Sequence, residues 1–215
     1  MQEIKLNRSQ KYAASFYKGA MLVLAGPGSG KTAVITSRIL FLIEEWGVPP
    51  ENILVITFSK AAAEEMKNRF RNIGRYRYES VTFGTFHAIF FRIIREACDY
   101  DTSNIISERE KNIYLDDALK QAGVTVQNER EFKEKLSASI SALKNSEKQL
   151  EKAAHALAIE PGKLAKIYDE YTESMKNAGK IDFDDMMLLC LEIFMEREDI
   201  LKKWQDKFKY ILIDE

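Results

Sequence analysis

The chain has 215 residues, 46% of them hydrophobic and 30% charged, and a formal net charge of −1. That length holds one large domain or two small ones, and the apolar content supports a packed core. No apolar run approaches the roughly 20 residues of a membrane span, Met1-Gln2-Glu3-Ile4-Lys5 lacks the apolar core of a signal peptide, and Cys98 and Cys190 fit no metal-ligand spacing, so a cytoplasmic protein with reduced thiols is expected.

The small net charge hides a gradient. Residues 1–88 carry 12 Lys and Arg against 7 Asp and Glu, residues 89–181 carry 15 against 16, and residues 182–215 carry 5 against 10. The basic excess of the first part includes Lys67, Arg69, Arg71, Arg75 and Arg77. Such a run either attracts a polyanion or complements the dipole at a helix C-terminus.

In chain order, Leu6-Asn7-Arg8-Ser9-Gln10 opens a short helix. Asn7 reads as its N-cap and Gln10 as the third helical residue of a capping box; a glutamine amide also matches N6 and N7 of adenine. The apolar run Met21–Ala25 predicts a strand feeding the loop Ala25-Gly26-Pro27-Gly28-Ser29-Gly30-Lys31-Thr32, with a helix from Lys31 to Trp46 stopped by Gly47 and Pro49-Pro50. Strand, glycine loop and helix in that order form a phosphate-binding loop, with Ala25 at the place of the first glycine in G-x-x-x-x-G-K-[ST]. Glycines let backbone N–H groups close on phosphate oxygens, and the helix N-terminus adds donors and positive potential. Lys31 would reach the outer phosphates of a nucleoside triphosphate and the Thr32 hydroxyl would ligate Mg²⁺.

A strand over Ile53–Phe58, a helix over Lys60–Asn72 ended by Gly74, and a strand over Val81–Thr85 continue a β-α-β-α rhythm. From Phe86 to Lys202 only helical periodicity is evident, with candidate helices at 87–98, 107–121, 129–143, 147–157, 161–177, 183–195 and 197–206. A fourth strand, Tyr210–Ile213, then resumes the sheet. The fold class expected is α/β, a parallel sheet with an inserted all-helical subdomain; residues 1–91 and 181–215 would form the sheet domain and 92–180 the insert.

That last strand ends in Asp214-Glu215. In a phosphate-loop enzyme an Asp at such a strand end holds the Mg²⁺ shell, and an adjacent Glu activates water. Thr57-Phe58-Ser59-Lys60 and Thr85-Phe86-His87 close two other strands. Ligands of open α/β sheets bind beyond the carboxyl ends of strands. There Phe58 and Phe86 either stack bases or cap the sheet as core aromatics, and His87 either contacts a ligand or is a hydrogen-bonded structural residue. Asp182, Asp184 and Asp185 read as acidic caps of a helix start, with metal ligation as the alternative.

Taken together, these segments resemble the UvrD/PcrA/Rep group of superfamily 1 DNA helicases, over essentially the whole chain and in order. Leu6-Asn7-x-x-Gln10 is similar to the adenine-recognising Q motif, and Ala25 to Thr32 to motif I, in which this family also has Ala first. Ile56-Thr57-Phe58-Ser59-Lys60-Ala61-Ala62 resembles motif Ia, with its lysine one position earlier than the usual Thr-Phe-Thr-Asn-Lys. Thr85-Phe86-His87-Ala88 resembles the DNA-contacting motif that follows, and Asp182–Asp185 and Ile211–Glu215 the acidic motif and motif II. The resemblance implies a P-loop, RecA-like motor domain, here its N-terminal part with the helical accessory insert. It implies ATP and Mg²⁺ as cofactors, and single-stranded DNA, duplex junctions and the remaining part of the same motor as partners. The nucleotide site would comprise Gln10, Ala25, Gly26, Pro27, Gly28, Ser29, Gly30, Lys31, Thr32, Ala33 and Arg38. Thr32 and Asp214 would hold the metal, Lys31 and Glu215 would be catalytic, and Phe58, Ser59, Lys60, Thr85, Phe86 and His87 would contact DNA. The expected activity is ATP-driven translocation and unwinding. The alternatives are an ATPase subunit of a helicase–nuclease, a DNA-binding module and a small-molecule phosphotransferase.

Overall fold

The computed structural model of the chain describes residues 5–74, 78–126, 128–146 and 149–214. They form two compact units, one from the described residues up to 90 and from 194 onward, the other from those of 91–193.

In the first unit, helix α1 (Arg8–Ser15) is followed, after the glycine loop, by helix α2 (Lys31–Glu44). Strand β1 (Ile53–Thr57), helix α3 (Lys60–Gly74) and strand β2 (Thr82–Thr85) come next. Helix α4 (Phe86–Ala97) leaves this unit. Far along the chain, helix α10 (Glu198–Lys207) and strand β3 (Tyr210–Asp214) return to it. The sheet is parallel, in the order β2-β1-β3. A parallel sheet covered by helices buries both faces, and all five residues of β1 are buried. Its core joins Ile39 and Leu42 of α2, Met66 and Phe70 of α3, and Ile53, Val55 and Leu212 of the sheet. Tyr17, after α1, stacks on Trp46 beyond α2 with centroids 3.7 Å apart.

The strand expected at Met21–Ala25 is not part of the sheet. Leu22 and Leu24 are 84% and 88% exposed, and among the described residues β3 pairs with β1 alone. Apolar composition makes a segment fit to be a strand, but a strand exists only through ladder hydrogen bonds to a neighbour.

The second unit is helical: α5 (Glu108–Gln121), α6 (Glu129–Asn145), α7 (Leu150–Leu157), α8 (Pro161–Asn177) and most of α9 (Phe183–Glu196). Leu115 and Leu119 of α5, Leu136 and Ile140 of α6, Leu157 of α7 and Leu164, Ile167 and Tyr171 of α8 make its core. Among the described residues no helix is long and apolar enough to cross a membrane.

Candidate nucleotide site and strand-end surface

The glycine loop is shaped by left-handed backbone at Gly28 (φ 73°) and Gly30 (φ 85°), a region closed to most side chains. Gly30 is the N-cap of α2 and offers no side chain, so the first N–H groups of the helix have no side-chain cap. A Cβ on Gly26 or Gly28 would meet nothing within 4 Å, whereas one on Gly30 would lie 3.0 Å from Gln10 Nε2. The Lys31 ammonium donates to the carbonyls of Ala25 and Gly26, both at 3.4 Å. Thr32 and Ala33 follow in the first turn, where the Thr36 hydroxyl donates to the Thr32 carbonyl.

Gln10 realises the capping box: the Asn7 side chain accepts from Gln10 N at 2.9 Å, and Gln10 Oε1 accepts from Asn7 N at 2.8 Å. Its Nε2 also donates to the Ser29 carbonyl at 2.9 Å, a bond across 19 residues that the sequence did not suggest. The two contacts fix which way the amide points. One N–H and one lone pair remain, a donor and an acceptor.

Arg38 is engaged at the end of α1. It is 8% exposed and its Nη1 donates to the carbonyls of Ala13, at 3.4 Å, and Phe16, with the guanidinium carbon 5.8 Å from the Phe16 ring. Burial pushes its pKa below the ordinary arginine value, with Tyr210 acting in the opposite sense. It lines a cavity of about 400 Å³ with Tyr17, Lys18, Lys209 and Tyr210. Tyr210 is the first residue of β3 and Asp214 the last, so this is the opposite end of the strand from the acidic tip.

The carboxyl ends of the strands are aligned. Thr57 is paired with Thr85 on one side and with Asp214 on the other. Thr57 is buried and its hydroxyl donates to the Ser59 carbonyl at 2.9 Å. The Ser59 hydroxyl accepts from Ala62 N at 3.1 Å at the start of α3, and Thr85 Oγ1 accepts from Ala88 N at 3.2 Å at the start of α4. Phe58 is 78% exposed, which removes the core reading for that residue. Phe86 is half-buried, its ring 6.0 Å from that of Phe90. His87 is exposed, and Lys60 lies 3.9 Å from Glu64. Glu215, the residue expected to activate water, falls outside the described residues, as do Arg75 and Arg77 of the basic run. Within that run Arg69 pairs with Glu65 at 2.5 Å and Arg71 with Glu79 at 3.7 Å.

In the helical unit, Asp182 and Asp185 cap α9 reciprocally, each backbone N–H donating to the other's carboxylate at 2.9–3.0 Å. Lys144 of α6, 3% exposed, reaches both, at 2.7 Å and 2.6 Å. Burial opposes the Asp182 charge, but the Lys144 ammonium outweighs it and holds that carboxyl below its usual range. These two carboxylates are occupied by a cation from the chain itself. Among the described residues no group of three or more His, Cys, Asp or Glu is arranged to hold a metal ion.

The sequence matches the family model of the UvrD/REP helicase N-terminal domain over residues 6–215. It is 34% identical over 218 residues to a putative ATP-dependent DNA helicase, YjcD, of Bacillus subtilis (strain 168), covering 99% of this chain and 28% of that protein. It is 32% identical over 216 residues to the ATP-dependent DNA helicase PcrA of Staphylococcus aureus (strain Mu50 / ATCC 700699), covering 98% of this chain and 29% of that one, and matches PcrA of Staphylococcus epidermidis to the same extent. The chain thus spans less than a third of the length of these relatives. With its glycine loop at a helix N-terminus and its parallel strands ending in one row, the chain belongs to the UvrD/REP helicase N-terminal domain family.

Proposed function

We propose that the chain is the nucleotide-binding part of an ATP-driven DNA motor, a helicase that moves on single-stranded DNA and opens duplex junctions. The observation that carries this reading is the glycine loop at the uncapped N-terminus of α2, a helix packed on a sheet whose β3 ends at Asp214. In this reading the first unit is a RecA-like motor domain. The helical unit, with residues 92–180 as its body, is the inserted accessory subdomain, and the rest of the motor supplies the second wall of the ATP site.

The residues suit the proposed ligands. The backbone of residues 25–32 offers N–H donors with open space above Gly26 and Gly28, room for a polyphosphate. Lys31 exchanges its two long carbonyl contacts for phosphate oxygens. Gln10 presents one donor and one acceptor, the pattern that complements N7 and N6 of adenine. The Thr32 hydroxyl and the Asp214 carboxylate are hard oxygen donors suited to Mg²⁺. Bound there, the ion supplies charge neutralisation on the outer phosphates. Glu215 orients the attacking water and takes its proton. Phe58, Ser59, Lys60, Thr85, Phe86 and His87 form the DNA-facing surface, with exposed Phe58 as a stacking platform.

The deciding experiment is ATP hydrolysis, with and without single-stranded DNA, by the full-length motor of which the chain would be the nucleotide-binding part. Stimulation by DNA is expected. ATP hydrolysis indifferent to DNA would favour a phosphotransferase and end the motor reading.

A further inference from the structure

Helix α1 has eight residues, about 12 Å of helix, a length too short to be stable alone in water. It carries no basic residue in its last turn, where orphan carbonyls and the negative end of the dipole call for a cation. Both of its ends are instead held by one neighbouring segment, the glycine loop and α2. At the N-terminal end, Gln10 donates to Ser29 of the loop. At the C-terminal end, the buried Arg38 guanidinium of α2 donates to the Ala13 and Phe16 carbonyls. Between them Ala13 and Ala14 are buried, small enough to let α1 lie close to its neighbours. Lys31 and Arg38 are seven residues apart on α2, so the element that presents the phosphate-binding lysine also clamps the far end of the helix that presents Gln10.

We infer that Arg38 is a positioning residue for base recognition: it acts through α1, aligning the Gln10 amide with the phosphate loop, and does not touch the nucleotide. This rests on the reading of Gln10 as the adenine-facing group. Loss of the clamp leaves the loop and Lys31 in place but frees α1, so the base preference falls while the affinity for bare polyphosphate persists. A residue that only stabilised the fold would weaken both together.

The test is calorimetric binding of ATP, GTP and inorganic tripolyphosphate to the chain and to its Arg38→Met and Arg38→Lys variants. Hydrogen exchange of the α1 amides is followed in parallel. The unmodified chain is expected to prefer ATP over GTP. Arg38→Met should cut that preference about tenfold, the scale of the net contribution of one hydrogen bond. Its tripolyphosphate affinity should stay within about twofold of the unmodified chain's, a change of roughly 0.4 kcal/mol, and α1 should exchange faster. Arg38→Lys keeps a cation and a donor, and should restore part of the preference; it carries the test if the Met variant does not fold. A retained ATP preference in both folded variants overturns the inference alone. Equal ATP and GTP affinity in the unmodified chain overturns the Gln10 reading as well, and no tripolyphosphate binding overturns the phosphate-loop assignment.

Discussion

Lys31 rests on its own loop, its ammonium 3.4 Å from two carbonyls of the segment it would serve. Contacts of that length are weak, so the lysine is available to a stronger acceptor. Lys31→Met is expected to lower ATP hydrolysis by the full-length motor by about 100-fold or more, the scale of losing one charge-stabilising donor. The thermal midpoint should remain near that of the unmodified protein. Phe58 offers a second residue-level test. Because it is largely exposed, Phe58→Ala should change stability by less than about 0.5 kcal/mol. It should weaken single-stranded DNA binding by about 1–3 kcal/mol in a fluorescence titration. At this scale the sequence told which residue types were present but not where they point. Gln10 showed both of its sequence-level roles as possibilities, yet its bond to Ser29 crosses 19 residues and leaves no local signal. Arg38 sits on the expected helix, but it faces the end of α1, a neighbour that only folding brings near.

Helix ends were legible where a capping pair lies within four residues, as at Asn7 and Gln10; the structure adds another such pair. Ser107 and Glu110 cap α5, and Glu110 also pairs with Lys180 at 2.6 Å. The hydrogen bond from Lys180, then those from Ser107, lower the Glu110 pKa from 4.5 to about 2. A carboxyl whose folded pKa is depressed stabilises fully above its unfolded pKa and ceases to do so as the pH falls through the folded value. The contribution of Glu110 is therefore lost between about pH 4.5 and about pH 2. Glu110→Gln should flatten that part of the curve when thermal midpoints are compared across this range. The clamp on α9 was only half legible: the Asp182–Asp185 cap lies within four residues, but Lys144 comes from 38 residues away. Lys144→Met leaves two partly buried carboxylates facing each other without a cation, and should destabilise the protein by up to about 3 kcal/mol in chemical denaturation. Lys144→Met combined with Asp185→Asn should recover part of that loss. Strands show the same division. β1 was readable as a run of β-branched and leucine residues, while Met21–Ala25, also apolar but with Val23 as its single β-branched residue, lacks a ladder partner and stays outside the sheet.

For the molecule as a whole, the alternation of strand and helix along residues 53–85 and the long helical stretch were visible as a change of hydrophobic period. What periodicity does not carry is strand order, because pairing between residues 53–57 and 210–214 joins segments separated by the entire helical unit. Hydrolysis by the 215-residue chain alone is expected to be negligible, since arginines supplied to a triphosphate from outside a phosphate-loop domain contribute about 10³–10⁵ in rate. Motor-like turnover by the chain alone would show that its own residues complete the site. The shared row of Thr85, Thr57 and Asp214 sets a length scale for such a motor. Neighbouring strands lie about 4.8 Å apart, so the acidic tip stands about 10 Å from Thr85. Backbone hydrogen bonds join the two through the buried β1. The acidic tip and Thr85 are thus tied to one buried strand, each by its own parallel ladder. The sheet is the crossbar between the two ends.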